Sequence, residues 1–178
     1  MKMNSIVWPE GYVPGYTENF VSNEAIVLGL EAADIWPLLE EPRLWPTYYA
    51  NSANVRLHDN AGPLLRNGDR FYFETFGFPV EAQCVEYDAP TAWQPGRIAW
   101  HGWAGEPGTA DRLDVHHAWI VEDLEGGRVR ILTQETQKGQ PAEALRVAKP
   151  NPMINGHQDW LDGLVAAARA AQAARSQA

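Results

Sequence analysis

The sequence predicts a single α+β domain in which a curved, seven-stranded antiparallel sheet wraps around a long C-terminal helix, with two short helices after the first strand. Three observations predict it. A chain of 178 residues is long enough for one well-buried core and too short for two ordinary domains. From residue 53 to residue 137, strand-like runs follow one another with no helical period between them, which requires hairpin connections rather than βαβ units. After Pro150 the apolar spacing becomes helical and stays so.

The elements follow in order. Residues 1–18 contain Trp8-Pro9, Gly11, Pro14 and Gly15, punctuation that suits an irregular arm across the domain, with Trp8, Tyr12 and Tyr16 as its anchors. Phe20 to Leu30 is β-rich, and Ile26, Leu28 and Leu30 share one strand face. From Glu31 to Leu39 the spacing of Ile35, Leu38 and Leu39 is helical, and Asp34 favours the first turn. Pro42 and Pro46 leave room only for a short second helix or turn around Leu44-Trp45. Six strands are then expected at Ala53–Leu57, Arg70–Phe76, Val80–Tyr87, Arg97–Trp103, Leu113–Val121 and Arg128–Gln137. Asn151-Pro152 caps the closing helix, whose His157, Trp160, Leu161, Leu164 and Ala168 lie on one side. Residues 19–172 are therefore expected to form the folded domain that would bind a ligand, and the alanine-rich end, residues 173–178, is expected to fray. Only the last helix is long enough to cover the sheet. Laid across a strongly curved surface, it leaves a cavity that its own side chains do not fill.

Composition narrows the function. Eight Trp, six Tyr and five Phe exceed what close packing needs and suit a lined cavity or a contact face. A net charge of −9, with no cluster of Lys and Arg, argues against nucleic acid as a partner. Cys84 is the only cysteine, so no internal disulfide forms, and its apolar surroundings mark it as a packed thiol. The first sixteen residues hold no continuous apolar stretch and no segment reaches the length of a membrane span, so the expected location is the cytoplasm. No cofactor is indicated, and nothing in the sequence fixes the oligomeric state.

Three runs carry a family resemblance: LEAADIWPLLEEPRLWPTYY, VEYDAPTAWQPGRIAWHG and HHAWIVEDLEGGRVRILTQETQKG. Together with the element order they resemble the START-like superfamily (SRPBCC, Bet v 1-like, helix-grip), and within it the polyketide cyclase and lipid-carrier branch. The resemblance covers most of residues 20–170, whereas the arm has no counterpart in it. It implies a helix-grip fold with a hydrophobic cavity between sheet and C-terminal helix. The superfamily holds cyclases, dehydratases, carriers, receptors and co-chaperone domains, so the fold does not fix an activity.

One constellation could carry chemistry. With Glu125-Gly126-Gly127 as a three-residue hairpin loop, Leu124 pairs with Arg128, which sets Val121 opposite Ile131, Trp119 opposite Thr133 and His117 opposite Glu135 on one face. A two-residue Gly-Gly turn would pair apolar with polar residues throughout, so the longer loop is preferred. His117 and Glu135 then face one another across the cavity as a candidate acid–base pair, or as groups that satisfy each other or anchor a ligand. His116 and His117 leave the strand on opposite faces and cannot share a metal. His58, His101 and His157 show no ligand spacing, so no metal site is expected.

Further ligand-binding candidates are Tyr48 and Tyr49, which follow the short helices where the family often places an entrance. Phe71 and Phe73 share a strand face, Trp119 and Thr133 flank the histidine, and His157, Trp160 and Leu164 lie on the closing helix. Trp100 and His101 point to opposite sides of one strand, and the sequence leaves open which is inward. The same holds for Glu81 and Gln83. Three functions are then in competition: binding or transport of a lipid, isoprenoid, quinone or aromatic polyketide; a cyclase or dehydratase using His117 and Glu135; and an interaction module of the co-chaperone kind.

Overall fold

The protein is described by a computed structural model covering residues 3–59 and 61–177. Its strands are β1 (Asn19–Leu28), β2 (Ala53–Leu57), β3 (Arg70–Thr75), β4 (Phe78–Asp88), β5 (Gly96–Ala104), β6 (Leu113–Leu124) and β7 (Arg128–Lys138). They form one antiparallel sheet in the order β1-β7-β6-β5-β4-β3-β2. The helices are α1 (Ala32–Glu40), α2 (Trp45–Tyr48), α3 (Gln140–Val147) and α4 (Pro152–Arg175), with a 3-10 turn over Pro42–Leu44. The expected helix-grip arrangement is present. No helix among the described residues is long and apolar enough to cross a membrane.

The β6–β7 hairpin has the register derived from its loop. Leu124 opposes Arg128, Trp119 opposes Thr133 and His117 opposes Glu135, and Gly126 and Gly127 take the positive φ values, 80° and 67°, that the turn demands.

Both faces of the central strands are covered. On the concave face, Trp36, Trp45, Phe71, Trp100, Trp119 and Trp160 share one buried cluster with Ile35, Leu39, Leu161 and Leu164. On the convex face, Ile6 and Trp8 of the arm pack over Ala99, Ala118, Ile120 and Leu132. Alanine at positions 99 and 118 lets the arm lie close to the sheet, and cover from both sides is why β6 is buried almost continuously, its histidines included, rather than at alternate residues.

Several expectations are corrected. A helix, α3, stands between β7 and α4; Gln140-Pro141 begins it, and its single fully buried residue, Ala142, gave little periodicity to detect. Ile26 and Leu28 do share a face, but it is the exposed one. Leu30 leaves the strand and turns inward, after Gly29 reverses the chain with φ of 78°. Tyr16 is 86 % exposed and anchors nothing, a role taken by Ile6. Helix α4 runs through Arg175, two residues past the start of the expected frayed tail, because Arg175 pairs with Asp34 and Gln172 donates to the Gly29 carbonyl.

Glycines set how closely α4 approaches its neighbours. A Cβ at Gly163 would stand 2.0 Å from the Tyr48 carbonyl oxygen, and one at Gly156 would stand 2.2 Å from the tip of the Phe76 ring. Phe76 and Gly77 turn β3 into β4 with φ of 51° and 77°. A bulky residue in that region is an outlier that the α4 contact helps to hold.

Candidate functional site

Three elements bring three polar side chains into the aromatic core. His117 comes from β6, Glu135 from its cross-strand position on β7, and His157 from the first turns of α4. All three are buried. His117 Nδ1 donates to Glu135 Oε2 at 2.9 Å, and His157 Nε2 stands 3.5 Å from the same oxygen. The two imidazoles stack, with centroids 4.6 Å apart and planes 10° apart.

Outer partners hold this group in place. His117 Nε2 meets the Thr133 hydroxyl at 2.7 Å. The Gln137 amide donates to Glu135 Oε1, Asn19 Nδ2 donates to Gln137 Oε1 at 2.7 Å, and Asn151, the N-cap of α4, donates to Asn19 Oδ1 at 3.4 Å. His157 Nδ1 is buried without a partner. It is one of several such buried atoms, but His157 is also a residue that lines the cavity.

Burial pushes the His117 imidazole down to about 4, and the attraction of Glu135 does not restore it. Burial alone would raise the Glu135 carboxyl. The facing His117 and hydrogen bonds from His117 and His157 outweigh it and hold the group well below the usual carboxylate range. At neutral pH the site therefore holds a carboxylate beside the neutral His117 imidazole, with Thr133 donating to the free nitrogen of His117. A base and two groups able to donate or accept stand within one small volume.

The cavity beside them measures about 30 Å³, room for one or two waters and not for a lipid chain. The large hollow expected from the curvature is filled by stacked rings. Trp45 lies on Trp100 with centroids 5.2 Å apart, Tyr49 on Trp160 at 4.5 Å, and Trp119 meets Trp160 edge-on at 5.2 Å. Aromatic surplus was a signal of a filled core as much as of a lined one. Beyond the cavity, the half-buried Thr75, Phe76, Phe78 and Leu145 stand between the polar group and the surface, at the β3–β4 hairpin and α3.

Of the residues expected from sequence, His117, Glu135, Phe73, Trp100, His157 and Trp160 line this cavity together. Tyr48, Tyr49, Phe71, Trp119, Thr133 and Leu164 do not line it. The Tyr48 hydroxyl donates to the Leu38 carbonyl, Tyr49 backs Trp160, and Phe71, Trp119 and Leu164 are core. Thr133 acts from behind, through His117. His101 lies on the convex face, where its Nε2 meets the Tyr12 hydroxyl at 3.1 Å and Asp114 at 3.6 Å. Trp100 is thus the inward member of that pair. Glu81 and Gln83 also face away, Glu81 toward His58.

Sequence reasoning missed Gln137, Val80, Val115, Met153 and the mouth residues. Gln137 was within reach, since Thr133, Glu135 and Gln137 alternate onto one face. The sequence shows no metal-ligand spacing, yet the fold gathers one nitrogen or oxygen atom from each of His117, Glu135 and His157 within 4.8 Å of one another. The third member arrives on a helix distant in sequence, which no local spacing shows.

No protein-family model matches the chain, and no curated protein matches it. Among solved structures, it is similar to a hypothetical protein of Helicobacter pylori, with 48 % identity over 93 % of this chain and 97 % of the other, and a TM-score of 0.88. It shares a fold with norcoclaurine synthase of Thalictrum flavum, at 12 % identity, 86 % and 96 % coverage and a TM-score of 0.61. It also shares one with the di-domain ARO/CYC BexL from the BE-7585A biosynthetic pathway, at 14 % identity, 82 % and 45 % coverage and a TM-score of 0.56.

Proposed function

We propose that the chain, which shares its helix-grip fold with norcoclaurine synthase and an ARO/CYC protein, binds a compact, largely apolar small molecule bearing an O–H or N–H group. The apolar part packs among Phe76, Phe78, Val115, Leu145 and Met153, and the donor reaches Glu135 and His157 at the inner end. The observation that carries this reading is the buried carboxylate between two imidazoles. Such a group is costly to bury, and here it ends in an acceptor with no protein partner, His157 Nδ1, at the wall of an apolar cavity. The cavity volume weighs against a long lipid, isoprenoid or quinone, and favours a small compound that enters by displacing the half-buried mouth side chains. Solution in the cytoplasm is the proposed setting.

A second reading has its own support. An ionised Glu135 next to a neutral His117 is a base beside a proton donor, so a bound carbon acid could be deprotonated there and its oxygen reprotonated, as cyclisation or dehydration requires. Two fold neighbours carry the names of a synthase and an ARO/CYC protein, which agrees with small-molecule chemistry.

The test is an NMR titration with small phenols, enolisable ketones and aromatic amides, following the indole N–H signals of Trp100 and Trp160. Shifts in these two signals that weaken in Glu135→Gln support the proposal. Uniform silence across the set, or equal shifts in the variant, overturns it. Turnover of a bound compound that is lost in His117→Ala with affinity retained selects the enzyme reading.

A further inference from the structure

The arrangement of outer partners around the polar group points beyond a hydrogen-bonded triad. Three atoms, His117 Nδ1, Glu135 Oε2 and His157 Nε2, face one another. The remaining polar atoms of the two β-strand residues are held from outside: His117 Nε2 by Thr133, and Glu135 Oε1 by Gln137. Inner atoms gathered within 4.8 Å of one another, with outer atoms of the strand residues fixed by hydrogen bonds, match the two-shell pattern of metal sites.

We propose that His117, Glu135 and His157 bind a first-row divalent metal ion such as Zn²⁺ or Fe²⁺. Two imidazoles and one carboxylate are the donor set such ions favour over Mg²⁺ or Ca²⁺, which prefer oxygen alone. The separations suit it. With metal–ligand bonds of ~2.0–2.2 Å, neighbouring ligand atoms sit roughly 2.9–3.5 Å apart, and the observed values are 2.9 Å from His117 to Glu135 and 3.5 Å from Glu135 to His157.

Three adjustments are needed, and each is small. His117 Nδ1 must give up its proton, which moves to Nε2; the Thr133 hydroxyl then turns from donor to acceptor, so no hydrogen bond is lost. His157 Nε2, which faces Glu135, likewise passes its proton to Nδ1, the ring nitrogen without a protein partner. The ion must also lie near the plane of each imidazole, so His157 turns about its Cβ–Cγ bond out of the 10° stack, bringing its nitrogen closer to His117. Three protein ligands leave coordination positions open toward the cavity, where the O–H or N–H group of the proposed ligand would arrive. The metal proposal does not require that ligand.

The other histidine–carboxylate contacts offer less. His58 has Glu81 alone, and the carboxylate facing His101 is already taken by Arg112 in a two-bond contact.

The experiment titrates metal-stripped full-length protein with Co²⁺ in the absence of any organic compound, and follows the visible d–d bands together with the bound metal per chain. Wild type is expected to bind one ion with intensified bands. His157→Asn and Glu135→Gln, each verified as folded by circular dichroism, are expected to lose the bands, whereas His58→Ala and His101→Ala keep them. Thr133→Val removes no ligand and is expected to weaken binding about 10- to 100-fold. Silence in the wild type, or bands that persist in folded His157→Asn, overturns the metal site. Neither result bears on small-molecule binding, which the indole titration reads separately.

Discussion

The imidazoles of His117 and His157 lie face to face, 4.6 Å between centroids, and the same oxygen of Glu135 faces a nitrogen of each. Strand and long helix thus meet on a polar contact in the middle of an indole cluster, with Trp100 4.7 Å from the His117 ring. A hydrophobic residue would pack this position more cheaply, so the contact is costly for stability and informative about function.

Removing the carboxylate should expose that cost. Glu135→Ala leaves the His117 ring and the Gln137 amide without their acceptor, and a loss of about 1–3 kcal/mol is expected for each buried donor left unsatisfied. Glu135→Gln keeps the volume and the contact with Gln137, so its loss is expected to be smaller. Urea denaturation of the two variants checks the order, and a larger loss in Glu135→Gln would contradict it.

Acid should weaken the fold before ordinary carboxylates titrate. His116 lies on the convex face beneath Trp8 and Tyr12, with neither ring nitrogen partnered. Burial pushes it down to about 4; His117 and His101 act in the same direction, Glu135 against them. His117 is pushed down to about 4 as well. In the unfolded chain both titrate near ~6.5. Between these values the unfolded chain binds protons that the folded chain does not, so stability is full above about 6.5 and falls as the pH drops. Two such groups give a slope steeper than either histidine alone would give within the window. Urea midpoints at intervals between pH 7 and pH 5 measure it. Trp8→Ala opens His116 to water and is expected to flatten the slope.

The order of elements, the sheet register and the facing of His117 and Glu135 were legible because each follows from short-range rules: period two along β6 and β7, and a loop whose glycines fix the pairing. Three features were not. His157 joins the site from α4, and nothing within one element announces a meeting of distant segments. Helix α3 buries one alanine and so lacks a stripe. The cavity was overestimated because curvature sets the space between sheet and helix, while side-chain volume sets what remains of it, and eight buried Trp, Tyr and Phe side chains consume most of it. His101 and Trp100 show the simplest limit, since alternation divides a strand into two faces without saying which is inside.

If indole rings occupy the hollow, shortening one should restore it. Trp160→Ala removes a ring that touches Trp45, Tyr49, Trp100 and Trp119. The expected cost is about 3–5 kcal/mol, part of which a small apolar compound such as indole should return by filling the space. Thermal melts with and without indole check this: a gain confined to the variant supports the view, and equal gains in both proteins contradict it.

The two helical glycines of α4 should respond differently to the same added methyl group. Alanine is favoured over glycine in a helix by ~1 kcal/mol, so each substitution begins with a gain. At Gly163 the obstacle is the Tyr48 carbonyl oxygen, 2.0 Å from the new atom. Main chain of α2 cannot turn aside, and Gly163→Ala must push the helices apart at an overpacking cost of about 1–3 kcal/mol. At Gly156 the obstacle is the far end of the Phe76 side chain, which is half-buried at the cavity mouth and free to swing outward. Gly156→Ala is therefore expected to leave the urea midpoint nearly unchanged while altering the entrance, seen as a change in the rate or affinity of ligand entry in the indole titration. A destabilisation at Gly156 as large as that at Gly163 would mean that Phe76 is fixed, and that the entrance lies elsewhere.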